Sequence, residues 1–214
     1  MNQEDFDREV LRYQILPAIF AKAIRGEILL KGGFALRMVA GSPRRTKDVN
    51  LRQDPRRMPL RRLQKLMHSA IAEAMRSEIL SSWTVTEPKQ TETVAHWKIS
   101  GKTPAGSQIY LTVEVSRRGL SDPRFWADVP RPDASAAQPL VIYGKDALPA
   151  AKTRALLSEE RVAARDLSDL GILIRMEVVP FEEMRVHVGL ALAKWLDDNE
   201  PAQGGEEDGP RGIP

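Results

Sequence analysis

Apolar residues recur every three or four positions at Phe6, Val10, Tyr13, Leu16, Ile19, Phe20 and Ile24. That spacing predicts an amphipathic helix over 4–24, ended by Gly26. A short, mostly apolar run over 27–31 predicts a strand. Gly32-Gly33 then predicts a turn, followed by a helix over 34–40 closed by Gly41. Pro43 breaks the path, and 49–52 reads as a second short strand. Pro55 and Pro59 bracket the entry to a long helix over 60–79. Its stripe is Leu63, Met67, Ala70, Ile71 and Ala74, with Arg61, Arg62 and Lys65 on the opposite face. Three strands follow over 83–87, 93–100 and 108–116, punctuated by Gly101 and Gly106. Strict alternation in the last puts Tyr110, Thr112 and Glu114 on one face. Residues 117–137 hold three prolines and the pair Phe125-Trp126, and read as a loop. A last short strand covers 140–143. The rest is helical in pattern: 146–157, with Asp146 as cap and Pro149 tolerated near the start, then 159–174 and 181–196. The tail over 199–214 is polar and rich in Gly and Pro, and is expected to be disordered. This order predicts an α/β (α+β) fold with a small mixed sheet and a C-terminal helical bundle.

Composition narrows the class. With 214 residues and 42% apolar content the chain can build a real core. It has no cysteine, which removes disulfides, thiolate zinc sites and cysteine nucleophiles together. The three histidines, His68, His96 and His187, are scattered and suggest no metal site. An acidic, polar start is unlike a leader, and no apolar run approaches the ~18 residues needed to span a bilayer. A cytoplasmic protein is expected. Net charge is only +3, but residues 42–65 hold nine Lys/Arg against Asp48 and Asp54, while the stretch after Asp197 is acidic. A basic block of this kind serves either as a solvated helix face or as a landing for a polyanion.

Three stretches carry candidate chemistry. Gly32-Gly33 between a strand and a helix lets backbone N–H groups approach a phosphate, although such a pair also makes a plain turn. It is no P-loop, since no Gly-Lys-Ser/Thr follows. Asp48-Val49-Asn50 places two oxygen-bearing side chains on one face of a strand. Glu114 can add a third oxygen, and hard oxygens suit Mg²⁺. Finally, Asp166 and Asp169 share a helix face three residues apart, and Lys152 on the preceding helix can pair with either. That set reads as a structural ion pair, or as a phosphate-contacting lysine oriented by an acid.

Taken in order, Lys31-Gly32-Gly33-Phe34-Ala35-Leu36, Arg45-Thr46-Lys47-Asp48-Val49-Asn50, Lys152-x-Arg-Ala155-Leu156 and Arg165-Asp166-Leu167-Ser168-Asp169-Leu170 resemble the AbiEii-type nucleotidyltransferase toxins, MenT-like members included. The resemblance covers roughly residues 28–172. It implies a polymerase-β-like nucleotidyltransferase core (1–143, with the N-terminal helix), a C-terminal helical domain (144–198) and the tail (199–214). It implies transfer of NMP from an NTP, with Mg²⁺, to RNA at the tRNA 3′ end, blocking translation, and a separately encoded antitoxin. Carried over residue by residue, Gly32, Gly33 and Lys152 bind the nucleotide. Asp48 holds the metal, with Asn50 at the second metal position of the pattern and Glu114 added from its strand face rather than from the resemblance. Asp48, Lys152, Asp166 and Asp169 are catalytic. Arg44, Arg45, Lys47, Arg56, Arg57, Arg61 and Arg62 lie along the RNA.

One position departs from the family pattern, which is Asp-x-Asp where this chain has Asp48-x-Asn50. Losing a bridging carboxylate weakens charge neutralisation at the phosphates. Three readings stay open: an enzyme that works with one strong acid plus Glu114, an inactive protein that keeps the fold and binds nucleotide, RNA or a partner chain, and a substitution that silences a toxin.

Overall fold

A seven-stranded mixed sheet organises the first part of the chain, in the order β3-β4-β5-β2-β1-β7-β6. The structure is a computed structural model. It describes residues 3–42, 46, 48–120, 123–129, 139–144, 147–156 and 164–175. Between 180 and 193 it describes 180, 182–183, 185–186, 188–190 and 192–193, and at 125, 154 and 165 the backbone alone. The chain divides into two compact units, 1–147 and 148–214.

In the first unit, α1 (Gln3–Lys22) leads to β1 (Ile28–Lys31), α2 (Gly32–Ala40), β2 (Asp48–Gln53) and α3 (Leu60–Ala74). The strands β3 (Ser82–Gln90), β4 (Val94–Lys102) and β5 (Gln108–Ser116) form an antiparallel meander. β6 (Trp126–Val129) and β7 (Leu140–Tyr143) pair at the far edge. β2 runs parallel to β5 and β1 parallel to β7, while β1 and β2 are antiparallel. Residues distant in sequence therefore meet in the middle of the sheet.

The pleat separates two faces. Val49 and Leu51 in β2, Leu111, Val113 and Val115 in β5, and Trp97 and Ile99 in β4 are at most 1% exposed. α1 packs on β5 and on α3, and their stripes, Leu11, Ile15 and Ile19 with Leu63, Met67 and Ile71, are buried too. Each such large side chain is worth roughly 1.5–3 kcal/mol against exposure, which makes this layer the core. The opposite face of the same strands is polar. Where β5 ends, the buried guanidinium of Arg117 donates to the Gln53 side chain at 3.0 Å and the Thr91 carbonyl at 3.2 Å. It also reaches the Met58 carbonyl at 3.4 Å, tying β5 to the end of β2 and the approach to α3.

Three expectations change. Gly32-Gly33 is not a turn before a helix: α2 begins at Gly32 itself. α3 stops at Ala74 rather than 79, because the chain tightens into a 3₁₀ turn over Met75–Ser77 and Glu78 takes a left-handed φ of 58°. The stretch read as a loop contains β6, whose Trp126 ring lies over Gly26, where a Cβ would fall 2.9 Å from it. Phe125, its expected aromatic companion, is described only in its backbone.

The second unit contains α4 (Ala147–Leu156, beginning at the boundary) and α5 (Ala164–Arg175). Pairs and triplets within 182–193 are also helical. The expected cap Asp146, the start of the 159–174 helix and the tail over 199–214 lie outside the described residues. No helix among the described residues is long and apolar enough to cross a membrane.

Candidate active site

The register places four side chains in one row across the polar face. Lys31 in β1 pairs with Asn50 in β2, Asn50 with Glu114 in β5, and Glu114 with His96 in β4. The next row holds Asp48, Thr112 and Lys98. Asp48, Asn50 and Glu114 thus share one face of two adjacent parallel strands and are half-buried, while Val49 between the first two is fully buried. The Glu114 carboxylate lies between two cations or cation-formers: Lys31 Nζ at 4.0 Å and His96 Nε2 at 3.4 Å. Thr46 sets the entry to β2, its hydroxyl donating to the Asp48 carbonyl at 3.0 Å and accepting the Asp48 N–H at 3.3 Å.

The glycine pair meets this row. Gly32 has a φ of +77°, and a Cβ built on it would lie 3.1 Å from Asn50 Cβ and 3.2 Å from Asn50 Nδ2. A Cβ here would crowd the Asn50 side chain, and the positive φ also favours glycine at the start of α2. The N-terminus of α2 has no side-chain cap, so the orphan N–H groups of its first turn suit a phosphate. Gly32→Ala is expected to cost about 1–2 kcal/mol from the left-handed backbone alone, with a further penalty at Asn50. Gly33 has no positive φ, and Gly33→Ala should cost less. Urea midpoints measure both, and an equal loss would refute the conformational argument.

In the helical unit, Lys152 Nζ lies 3.0 Å from Asp166 Oδ1 and 2.5 Å from Asp169 Oδ2. The lysine was expected to pair with either acid and pairs with both. All three are buried, Asp169 completely. An ammonium has three donors, and the two carboxylates use two of them.

The basic block is only partly described. Arg44, Arg45 and Lys47 lie outside the described residues. Arg56 wraps Asp54, with Nη2 to Oδ2 at 2.8 Å, and this holds the Asp54 carboxyl below its usual range. Arg57 reaches the Gly26 carbonyl at 3.4 Å, and Arg62 pairs with Glu27 at 2.6 Å. Arg61 is exposed. These four follow the C-terminal end of β2, whereas Asp48 begins it, so the sheet does not bring them beside the Asp48–Asn50–Glu114 set.

Sequence reasoning did not single out Lys31 or His96 as part of the row, nor Arg12. Arg12 is 2% exposed, with Nε and Nη1 unbonded, and its Cζ stands 5.8 Å from the centre of the Phe34 ring in α2. Burial is the main cause lowering its pKa; the Glu9 charge is the chief opposing influence, with Asp48 a smaller one. Nothing in the helix pattern of α1 distinguishes this arginine from a solvated one.

Chemically, Asp48, Asn50 and Glu114 on neighbouring rows offer two carboxylates and one amide oxygen, hard donors of the kind Mg²⁺ takes while keeping water and phosphate as its remaining ligands. No group of three or more His, Asp or Glu able to hold a metal occurs among the described residues. The fit is therefore to a cation bound together with a substrate's phosphates rather than to a complete protein cage.

A family model described as nucleotidyl transferase AbiEii toxin, type IV toxin–antitoxin system, matches residues 14–209. Among solved structures, JHP933 from Helicobacter pylori aligns with a TM-score of 0.66 and 19% identity, over 92% of this chain and 76% of that one. A candidate nucleotidyltransferase from H. pylori aligns with a TM-score of 0.65 and 18% identity, over 92% of this chain and 82% of that one. At such identity the likeness speaks for the fold. No curated protein matches the sequence.

Proposed function

We propose that this chain, which belongs to the AbiEii nucleotidyltransferase toxin family of type IV toxin–antitoxin systems, transfers a nucleotidyl group from an NTP to the 3′ end of an RNA, with tRNA as the acceptor. In the reaction the RNA 3′-hydroxyl oxygen bonds the α-phosphorus, the α–β anhydride breaks, and pyrophosphate leaves. The hydroxyl proton passes to solvent. Blocking the tRNA 3′ end would stop aminoacylation and hence translation, and a separately encoded antitoxin would restrain it.

The observation that carries this reading is the meeting of two neighbouring rows with a helix start. Asp48, Asn50 and Glu114 share one face beside an uncapped helix start whose glycine lets it lie close to Asn50. The first turn of α2, from Gly32 and Gly33, would hold phosphate oxygens. Asp48 and Glu114, with the Asn50 amide oxygen, would hold Mg²⁺. When bound, that ion neutralises phosphate charge and acidifies the attacking hydroxyl. Lys31 sets the Glu114 carboxylate and adds positive charge to a row that has lost one acid. For the helical unit we keep the family role of Lys152 as a phosphate contact, oriented by Asp166 and Asp169.

The test mixes purified protein with Mg²⁺, total tRNA and one labelled NTP at a time. Label at RNA 3′ ends is expected, weak for the chain as it stands. No label from this chain or from its Asn50→Asp variant would favour a fold that binds nucleotide, RNA or a partner without transfer.

A further inference from the structure

Beyond the acid row, the polar face of the sheet continues over β5, β4 and β3 with a composition of its own. Successive rows hold Thr112, Lys98 and Thr86, then Tyr110, Ser100 and Thr84, then Gln108, Lys102 and Ser82. Tyr110 is 62% exposed, and Lys98, Lys102, Gln108, Thr84 and Ser82 are exposed as well. Among the described residues of these three strands on this face, Glu114 is the one carboxylate. Glu87, its nearest rival, bonds His68 of α3 instead.

Tyr110 is also held in place. β2 begins at Asp48, opposite Thr112, so the Tyr110 carbonyl lies past the start of that strand. Arg8 fills the gap, its Nε donating to this carbonyl at 3.1 Å. Glu4 and Asp5 spend their charge on the same arginine. An exposed aromatic ring on a rigid strand, flanked by lysines and leading to a transfer site, has the makings of a base-stacking platform.

We infer that this open face of β3, β4 and β5 is the track on which the single-stranded 3′ end of the acceptor RNA lies, with a base stacked on Tyr110 and backbone phosphates on Lys98 and Lys102. The inference rests on the transfer reading and supplies its acceptor path. A duplex hides the faces of its bases, so a stacking tyrosine selects an unpaired end. Glu114 lies four residue steps along β5 from Tyr110, about 14 Å of strand, a length that about four stacked nucleotides cover. Arg56 and Arg62 compete poorly for this RNA, because Asp54 and Glu27 already occupy them.

Fluorescence anisotropy with the full chain tests the track. The probes are a 5′-labelled 12-nucleotide single-stranded RNA and the same strand in a blunt duplex. Tyr110→Ala should weaken single-strand binding about five- to a hundredfold, and Tyr110→Phe should bind like the parent. The Lys98→Ala/Lys102→Ala double variant should flatten the dependence of log Kd on log salt by about 1.4. Melting temperature and NTP binding should match the parent in every variant. Equal binding of duplex and single strand, or an unchanged Kd for Tyr110→Ala, overturns the track. If the parent labels RNA while the variants keep its Kd and KM, the track fails and the transfer reading stands. If neither the parent nor Asn50→Asp binds or labels RNA, the transfer reading fails and the track with it.

Discussion

Lys152→Ala is expected to abolish nucleotidyl transfer and, in the same protein, to cost about 3–5 kcal/mol of stability. The second effect follows from the geometry alone. Lys152 is buried between Asp166 and Asp169 at 3.0 and 2.5 Å. Removing the cation takes from two buried carboxylates a counter-ion that both contact. Removing one acid is milder, because the lysine keeps the other carboxylate. Asp169 is fully buried and closer to the lysine, so its loss should cost more than that of Asp166. The expected order of destabilisation is therefore Lys152→Ala, then Asp169→Ala, then Asp166→Ala, read from urea midpoints. Transfer must be compared only where each variant is folded. A folded Lys152→Ala that labels RNA at the parental rate would end the phosphate role. A Lys152→Ala as stable as the parent would show that the ion triad contributes little.

What could be read beforehand depended on how local the determinant is. Alternation over 108–116 revealed β5 and the face of Glu114, because a strand's period acts within a few residues. The spacing of Asp166 and Asp169 revealed a shared helix face for the same reason. The row from Lys31 to His96 was not legible, since it depends on β2 pairing in parallel with a strand about 60 residues later. His96 looked like one of three scattered histidines until that pairing put it 3.4 Å from Glu114. The edge strand β6 is four residues long with prolines close on both sides, too short for alternation to register. Arg12 was invisible because a helix stripe shows where apolar residues go, not which arginine is drawn in with them.

Asn50→Asp is expected to raise Mg²⁺-dependent transfer about a hundredfold, which corresponds to a barrier lower by about 2.7 kcal/mol. The exchange is nearly isosteric, so the close approach of Gly32 to the Cβ of residue 50 survives it. What changes is charge. Asp48 and Glu114 bring two negative charges to neighbouring rows that also hold Lys31 and Lys98, and an acid at 50 brings a third. Two effects then oppose each other. An anion beside the uncapped start of α2 competes with substrate phosphate for the same N–H groups, an effect of about 0.3–1 kcal/mol. Against this, a carboxylate replaces a neutral amide as a ligand for a divalent ion, and metal charge on a phosphoryl oxygen is worth several kcal/mol. The metal term is larger, so the variant should gain. A second readout needs no catalysis. Without Mg²⁺ the variant should melt below the parent, since three carboxylates then crowd one face of two adjacent strands. With Mg²⁺ it should gain more in melting temperature than the parent does. Equal transfer rates and equal Mg²⁺ midpoints in the two proteins would mean that the amide oxygen serves as well as a carboxylate, and that position 50 does not govern this site.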